Sequence, residues 1–349
     1  MRAPKGRRGA ARSAGPPMDD GTQGAAKSGG AHVAILMAVY QGRDHLPAQL
    51  ASLAAQSHRG WSLIAGDDGS TDGSAALLAD FAAAQEPGRV RVVRGPGQGA
   101  AANFRALLHH VPAQASHVAF CDQDDVWTAE KLATAIAALP ADRPAIWCSR
   151  VVNCDEDLQQ LSLSPMPRHP PSFRHALMQN MVQGNTLMLN RAAMALVTAA
   201  NAEAGPVVMH DWWIYQLVTG AGGTVIYDPA PSVLYRQHGA NLVGANDRWQ
   251  ARLGGLRRML DGTYRGWSRT NLAALTASNH RLTAESREPA ASRARSPKGQ
   301  NGHKTDTNGH QTDRKRTPNG HLKSNSNLLT PTQATTSNNR APQKLSART

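Results

Sequence analysis

The chain has 349 residues, a formal net charge of +13 and a sequence pI of about 10.3. The excess positive charge lies at the two ends. Residues 1–30 carry six Lys and Arg against two acidic residues, and residues 247–349 carry 19 against six, whereas residues 31–246 hold 13 against 17. Because the segment with the hydrophobic patterning of a folded domain is mildly acidic, total charge does not indicate a nucleic-acid-binding protein, and no nucleic acid partner is expected.

The cysteine pattern favours a reducing compartment. Cys121, Cys148 and Cys154 form an odd set without CxxC or Cys/His spacing, which is typical of a cytoplasmic protein. The basic N-terminus has no apolar stretch of the secretory kind before residue 31, and no run approaches the roughly 18 apolar residues that cross a bilayer. We therefore expect a cytoplasmic protein, with at most a peripheral contact on the inner face of the plasma membrane.

Composition divides the chain into four segments. Residues 1–30 are rich in Gly, Ala, Arg and Pro without periodicity, which predicts a disordered leader. Residues 31–246 are predicted to form the folded domain. Leucines and paired arginines over 247–283 indicate a basic amphipathic helical extension, which could lie on an anionic membrane or pack on the domain. Residues 284–349, with a recurring Asn-Gly-His, are predicted to be a disordered basic tail.

Apolar runs and helical periodicity alternate along the first half of the domain. The predicted strands cover residues 33–40, 61–65, 90–93 and 118–121. The predicted helices cover residues 45–56, 74–81, 103–110 and 128–139. Strand and helix in this order predict a mainly parallel sheet with helices on both faces, in which ligands bind at the carboxyl ends of the strands.

The order is less regular after residue 140. Short apolar runs predict strands over residues 145–148, 151–154 and 184–191, and a final pair over 224–227 and 232–235. Helical patterns run to residue 200 and over 210–218.

Three carboxylates follow one of the buried strands directly. Asp122, Asp124 and Asp125 come after the apolar run 118–121, and their mutual repulsion is costly unless a cation or several hydrogen-bond donors lie among them. Oxygen ligands on a loop suit Mg²⁺ or Mn²⁺, which bind one or two carboxylates and take the remaining ligands from substrate phosphates. The alternative is a solvated acidic turn that caps the helix beginning near Thr128.

Two other strand ends carry polar or aromatic side chains. Tyr40 ends the first strand, and Asp67 and Asp68 end the second, within the string GDDGSTDGS. Asp72 in the same string is assigned to the turn and to the cap of the next helix. Because the carboxyl ends of parallel strands share one edge of a sheet, we expect these groups to converge with the three carboxylates on one crevice.

These motifs, in this order, resemble the family 2 glycosyltransferases of the GT-A fold, in particular the rhamnosyltransferase-like branch. The resemblance extends from residue 33 to residue 244. It rests on the strings VAILMAVYQG, GDDGSTDGS, GQGAAANFRALL, FCDQDDVW, HDWW and YRQHGANLVG. The chain lacks the Gln-x-x-Arg-Trp signature of processive members, which disfavours a polymer synthase.

The resemblance implies a role for individual residues on the donor side. Tyr40 matches the aromatic residue against the nucleotide base, Asp68 an aspartate that contacts a pyrimidine base, and Asn103 a polar contact near the nucleotide. Arg236 is a candidate for the diphosphate, which a guanidinium can bind in bidentate fashion. Asp125, with Asp122, would contact the nucleotide sugar directly or through water.

The resemblance also implies the reacting groups. Asp124 and Asp122 match a D-x-D-type metal site, with His238 as a further candidate ligand. Asp211 matches the general base, and the apolar wall of Trp212 and Trp213 could raise its pKa; the alternative is a helix cap. These tryptophans and Trp127 could also stack on sugar faces, or pack in the core.

Two functions are compatible with these residues. The first is an inverting glycosyltransferase that moves one sugar, such as L-rhamnose, from a dTDP or UDP donor to a glycan or lipid-linked acceptor in cell-surface polysaccharide synthesis. The second is a non-catalytic nucleotide-binding module whose basic tail docks on nucleic acid or membrane. The acids at 122–125 and Asp211 favour the enzyme.

Overall fold

The computed structural model describes residues 30–237 and 263–295. The leader over residues 1–29, His238 and residues 296–349 of the predicted tail lie outside these ranges, as does the first part of the extension. The expectations stated for them remain predictions.

Nine strands form one sheet across the described residues. Their order in the sheet is β3-β2-β1-β4-β8-β6-β9-β5, and β7 pairs with β6 beside β8. The strands are β1 (Val33–Val39), β2 (Trp61–Asp67), β3 (Val90–Arg94), β4 (His117–Asp122), β5 (Val126–Trp127), β6 (Ala145–Cys154), β7 (Gln160–Leu163), β8 (Met188–Asn190) and β9 (Thr224–Arg236).

Helices cover both faces of this sheet. They are α1 (Leu46–Ala54), α2 (Ser74–Ala83), α3 (Ala100–Leu107), α4 (Lys131–Ala138), α5 (Phe173–Ala176), α6 (Arg191–Asn201), α7 (His210–Gly220), α8 (Thr263–Ala277) and α9 (Ala284–Arg295). Alternate side chains of β1 enter opposite cores because successive residues of a strand point to opposite faces. Ile35 and Met37 pack with α1, α2 and α4, whereas Ala34 and Leu36 pack with α3, α6 and α7.

The sheet is parallel in its first part and mixed beyond it. β1 pairs in parallel with β2 and β4, and β2 with β3, as the alternating pattern predicted. β8 then runs antiparallel to both β4 and β6, while β6 and β9 are parallel. The predicted α/β class is confirmed, and its mainly parallel character holds for the first four strands of the order.

Two predicted pairs of short strands are single long strands. Residues 145–154 form β6 and residues 224–236 form β9, and the two pair along their whole length. Pro229 and Pro231 interrupt the apolar pattern of β9, and prolines in a strand are tolerated at bulges. The register between β6 and β9 shifts beside Ser149 and Arg150, opposite the two prolines. This irregularity lets both strands continue past the prolines.

The last two helices pack on the domain. Leu272 and Leu275 of α8 and Ala290 of α9 are buried in the core beside α7. The sequence predicted a tail without structure from residue 284, whereas α9 begins there. The alanines of α9 allow close contact with the domain although the composition of this helix is strongly polar. Of the two readings of the extension, packing on the domain holds for the part that is described.

Hydropathy within the described ranges gives no membrane-spanning segment. None of their helices combines the length and the apolar character that crossing a bilayer requires.

Candidate active site

The carboxyl ends of three neighbouring strands lie side by side. Val39 at the end of β1 is paired with Asp67 of β2, and Ala38 is paired with Asp122 of β4. The loops that follow these strands therefore leave the sheet at one edge. This edge carries the side chains that the sequence singled out.

Hydrogen bonds join the loop after β1 to the loop after β2. The backbone N–H of Gln41 donates to Ser70 Oγ at 3.0 Å, and the Gln41 side chain accepts from the Thr71 N–H at 3.0 Å. Asp72 accepts from the Arg43 N–H at 2.9 Å and from both donors of Ser74. The Ser74 and Arg43 hydrogen bonds lower the pKa of Asp72 to about 2. Asp72 thus holds the turn and the start of α2.

Gln123 fixes the loop after β1 to the acidic loop after β4. Its side-chain carbonyl accepts from the Tyr40 N–H, and its amide donates to the Tyr40 carbonyl, both at 2.9 Å. The Tyr40 side chain is 59% exposed at the edge of the crevice, so it is not a core residue. An accessible aromatic ring on a backbone held at both polar groups is suited to stacking on a planar ligand.

Asp68 organises the glycine-rich loop over residues 95–99. Its two carboxylate oxygens accept from the N–H groups of Gly97 at 2.7 Å and Gly99 at 2.9 Å. A Cβ at Gly95 would lie 2.3 Å from Asp68 Oδ1, so a larger residue there would displace this carboxylate. The sequence suggested a direct contact of Asp68 with the base. In the structure this carboxylate holds the loop that lies beside the crevice.

Asn103 lies beneath the crevice and not in it. Its side chain is 1% exposed, and its amide donates to the carbonyl of Gly66 at 2.7 Å. The close approach of α3 to β2 requires a glycine at 66, where a Cβ would lie 2.2 Å from Asn103 Oδ1. The Asn103 side chain therefore holds the backbone of β2, and its contact with a nucleotide stays a prediction.

In the acidic loop, the carboxyl groups of Asp122 and Asp124 lie close enough to interact electrostatically. Asp122 and Asp124 both keep part of their surface exposed. Burial, then the charges of Asp124 and Asp211, raise the pKa of Asp122 to about 7, and Lys131 acts in the opposite direction. Asp211 thus acts on the carboxyl group of Asp122, although the two residues are almost 90 positions apart in the chain.

Asp125 faces the interior. It is fully buried, its Oδ2 accepts from the side-chain amide of Asn185 at 2.7 Å, and its Oδ1 accepts from the Arg236 N–H. Burial and the charges of Asp122 and Asp124 raise its pKa well above the ordinary range. The sequence assigned Asp125 to the nucleotide sugar. In the structure Asp125 bonds to Asn185 and to the Arg236 backbone, and its contact with the nucleotide sugar stays a prediction.

Arg236 supports the same loop from below. Its side chain is 5% exposed, its Nε donates to the carbonyl of Asp124 at 3.1 Å, and a terminal nitrogen donates to the carbonyl of Glu156. The sequence predicted that Arg236 binds a diphosphate. Its bonds to these carbonyls hold the acidic loop, and its contact with a diphosphate stays a prediction.

Asp211 lies in the first turn of α7 and is held by three donors. Its carboxylate accepts from the Trp212 N–H at 2.7 Å, from the Asn180 side chain and from the Gly184 N–H. Burial outweighs these hydrogen bonds and raises the pKa of Asp211 to about 6. The group is therefore ionised near neutral pH and basic enough to accept a proton there.

The aromatic residues around Asp211 belong to the core. Trp212 and Trp213 are fully buried and Trp127 is 3% exposed, so none can stack on a sugar face. His210 is stacked on Phe104, with ring centroids 4.2 Å apart, and burial lowers its pKa to about 3. Trp212, Trp213 and His210 adjoin Asp211 in the chain, whereas Trp127 packs in the core on the other face of the sheet.

The sequence reading missed two residues of the site. Gln123 stands inside the acidic motif, where its neighbours drew attention to charge. Lys131 is 1% exposed beneath the acidic loop, on the same buried face of α4 as Leu132 and Ala135. A lysine at an apolar position of an amphipathic helix is the signal that could have found it.

The carboxylates at the crevice fit a hard divalent cation that takes only one or two of its ligands from the protein. Across residues 30–237 and 263–295, no group of three or more His, Cys, Asp or Glu is arranged as a ready-made metal site. Asp122 and Asp124 nevertheless present two adjacent carboxylates at the crevice, and Mg²⁺ commonly takes one or two carboxylates plus phosphate oxygens and water. The third predicted ligand, His238, is outside the described residues.

Sequence comparison identifies the protein class. Residues 34–201 match the family model described as "Glycosyl transferase family 2". This match, on an α/β fold, identifies a glycosyltransferase domain. More particularly, residues 34–201 are identified as a glycosyl transferase family 2 domain, and the non-catalytic alternative is set aside.

Two relatives and one solved structure show how far the similarity extends. The dTDP-rhamnosyl transferase RfbG of Shigella flexneri is 26% identical over 224 residues, covering 62% of this chain and 76% of its own. The putative teichuronic acid biosynthesis glycosyltransferase TuaG of Bacillus subtilis is 34% identical over 100 residues, covering 29% and 38%. The structure of S. aureus TarS 1–349 in complex with UDP-GlcNAc is 11% identical, with a TM-score of 0.49, covering 75% and 88%.

Proposed function

We propose that this glycosyltransferase moves a single sugar from a nucleoside-diphosphate donor to a hydroxyl of a glycan or lipid-linked acceptor, with inversion at the anomeric carbon. The observation that carries the proposal is the proximity of Asp211 to the acidic loop: Gly184 lies against Asp211, and the next residue, Asn185, donates to Asp125 at 2.7 Å. A base for the acceptor and carboxylates for a metal–diphosphate group then share one crevice.

The chemistry of Asp211 follows from its surroundings. With a pKa of about 6, its carboxylate is ionised at neutral pH and accepts the proton of the attacking hydroxyl. The acceptor oxygen forms a bond to the anomeric carbon while the bond from that carbon to the diphosphate oxygen breaks. The nucleoside diphosphate leaves with the electron pair. Direct displacement from the opposite face inverts the anomeric configuration.

Asp122 and Asp124 would hold Mg²⁺ or Mn²⁺, which when bound neutralises charge that develops on the leaving diphosphate. Gln123 and Arg236 hold the acidic loop through its backbone and through Tyr40. Tyr40 presents an accessible ring for the nucleotide base, and Asp68 holds the glycine-rich loop beside it. Fixed loops reduce the entropy that is lost when the donor is bound.

The donor proposal is dTDP-L-rhamnose, and the setting is cell-surface polysaccharide synthesis. Support comes from the likeness to RfbG over 62% of this chain and from the name of TuaG. A UDP-sugar is the second donor to be tested. The acceptor side is proposed to lie near Gly184 and Asn180, which border Asp211. We propose a cytoplasmic location with peripheral membrane contact, consistent with a lipid-linked acceptor.

The test is a donor panel with defined metal content. Full-length protein is incubated with dTDP-L-rhamnose, UDP-glucose, UDP-GlcNAc and GDP-mannose, with Mn²⁺ or with EDTA, and nucleoside diphosphate release is measured. The proposal expects release from one donor class, dependent on metal, and a product whose anomeric configuration is opposite to that of the donor. A product that retains the donor configuration would contradict the direct displacement.

A further inference from the structure

A buried lysine lies directly behind the acidic loop. Lys131 is 1% exposed, its Nζ donates to the carbonyl of Asn185 at 2.5 Å, and the same nitrogen lies 3.5 Å from the centre of the Trp127 ring. A buried ammonium is costly unless negative charge or strong acceptors surround it. The buried ammonium of Lys131 therefore requires a negatively charged or strongly accepting group nearby.

Asn185 connects this lysine to the acidic loop. Its carbonyl accepts from Lys131, while its side-chain amide donates to Asp125 at 2.7 Å, and Asn185 is itself 4% exposed. Burial lowers the pKa of Lys131 to about 7, while the charges of Cys121, Asp125 and Asp122 act in the opposite direction. Asn185 thus links the ammonium of Lys131 to Asp125, the buried carboxyl group of the loop. Asp122 and Asp124 remain partly exposed.

We propose that Lys131 is a positioning residue: its buried ammonium, linked through Asn185 to Asp125, compensates the charge of the acidic loop when no divalent cation is bound. The loop therefore keeps its donor-binding arrangement between turnovers. The same positive charge opposes the incoming cation and weakens its binding, which favours release of the metal with the product diphosphate. This proposal rests on the proposed function for its metal-binding readout.

The first test measures Mn²⁺ affinity in the Lys131→Met variant by isothermal titration calorimetry. Methionine keeps an unbranched apolar stem against Trp127 and removes the charge. Loss of a nearby unit positive charge is expected to tighten Mn²⁺ binding about tenfold. A merely structural lysine would change stability and leave the Mn²⁺ affinity unaltered. An unchanged or weaker affinity would overturn the proposal.

The second test needs no metal. Unfolding by urea in EDTA is compared for the wild-type protein, Lys131→Met, Asp125→Asn and the double variant. Because the double variant removes the lysine together with a carboxyl group that it is proposed to compensate, it is expected to fold with an equilibrium constant about tenfold more favourable than the two single effects predict. If Lys131→Met does not fold alone, the double variant is expected to fold. Additive effects, or a double variant that is also unfolded, would contradict the proposal.

The two tests separate this inference from the proposed function. Wild-type protein that binds no Mn²⁺ would count against the metal-assisted transfer, and the double-variant cycle in EDTA would still decide the role of Lys131. Wild-type protein that binds Mn²⁺ with additive variants would leave the transferase proposal intact and overturn the role of Lys131.

Discussion

Replacement of Asp211 by asparagine should separate the effect of this carboxylate on stability from its effect on the transfer rate. The side chains have nearly the same shape, so Asp211→Asn keeps the packing of α7 and removes the proton acceptor. General base catalysis contributes about 10²–10⁴-fold, and we expect a loss of transfer rate in that range. In the wild-type protein the rate should rise with pH through about 6, because Asp211 must be ionised to accept the proton.

The same substitution should change stability in a pH-dependent way. Burial raises the pKa of Asp211 from its ordinary value of 3.8 to about 6, and two units correspond to about 3 kcal/mol. Since the folded-state pKa is raised, the stability linked to this group is fully present below about pH 3.8 and is lost as the pH rises through about 6. Asparagine avoids this loss.

Two effects reduce the gain in stability that is expected for Asp211→Asn at high pH. A neutral amide accepts more weakly from the N–H groups of Trp212 and Gly184, which costs about 1–2 kcal/mol, and Asp211 retains some solvent contact. We therefore expect Asp211→Asn to raise the free energy of unfolding by about 1 kcal/mol at pH 8, and to lower it at pH 4.

The assays are nucleoside diphosphate release with acceptor present and urea unfolding at the two pH values. Asp142→Asn is the matched control, because Asp142 is an exposed carboxylate with only a surface ion pair to Arg143. The control should leave rate and stability unchanged within error. An Asp211→Asn enzyme within threefold of the wild-type rate would refute the assignment of the base, and a stability change independent of pH would refute the electrostatic reasoning.

Three further predictions concern the loops and the last helices. Gln123→Ala removes both bonds to the Tyr40 backbone, so the KM for the donor should rise about tenfold with a smaller change in kcat in steady-state assays. Gly95→Ala forces Asp68 to move, because the new Cβ would lie 2.3 Å from its carboxylate, and donor titrations should show weaker binding; unaltered binding would dismiss the role of this loop. Leu275→Ala, at a fully buried position of α8, should cost about 2–4 kcal/mol in urea unfolding, whereas a loss below about 0.5 kcal/mol would place α8 outside the cooperative domain.

The sequence predicted the first four core strands because each carries a local signal. The apolar run of β1 and the strand–helix alternation up to α4 are periodic patterns within a few residues, and the structure has these elements at nearly the same bounds. Beyond residue 140 the antiparallel insertion of β8 between β4 and β6 is a long-range choice that no local pattern encodes.

The site was predictable in position and less so in detail. Strand-end rules brought Tyr40, Asp68 and the acidic loop to one edge because parallel strands share their carboxyl ends. They could not tell which side chains turn inward, since Asp124 and Asp125 are adjacent and face different surroundings. The ligand contacts of Asn103 and Arg236 stay predictions for this reason, as a polar residue in a motif can equally hold the backbone that forms the site.

The most direct test of the account is donor-product binding at the acidic loop. Calorimetry with dTDP and UDP is carried out on wild-type protein and on Asp124→Asn, each with Mn²⁺ and with EDTA. A nucleoside diphosphate bound through a cation on this loop should bind wild-type protein only with Mn²⁺, and at least tenfold more weakly to the variant. Equal affinity in EDTA, or in the variant, would contradict the central claim.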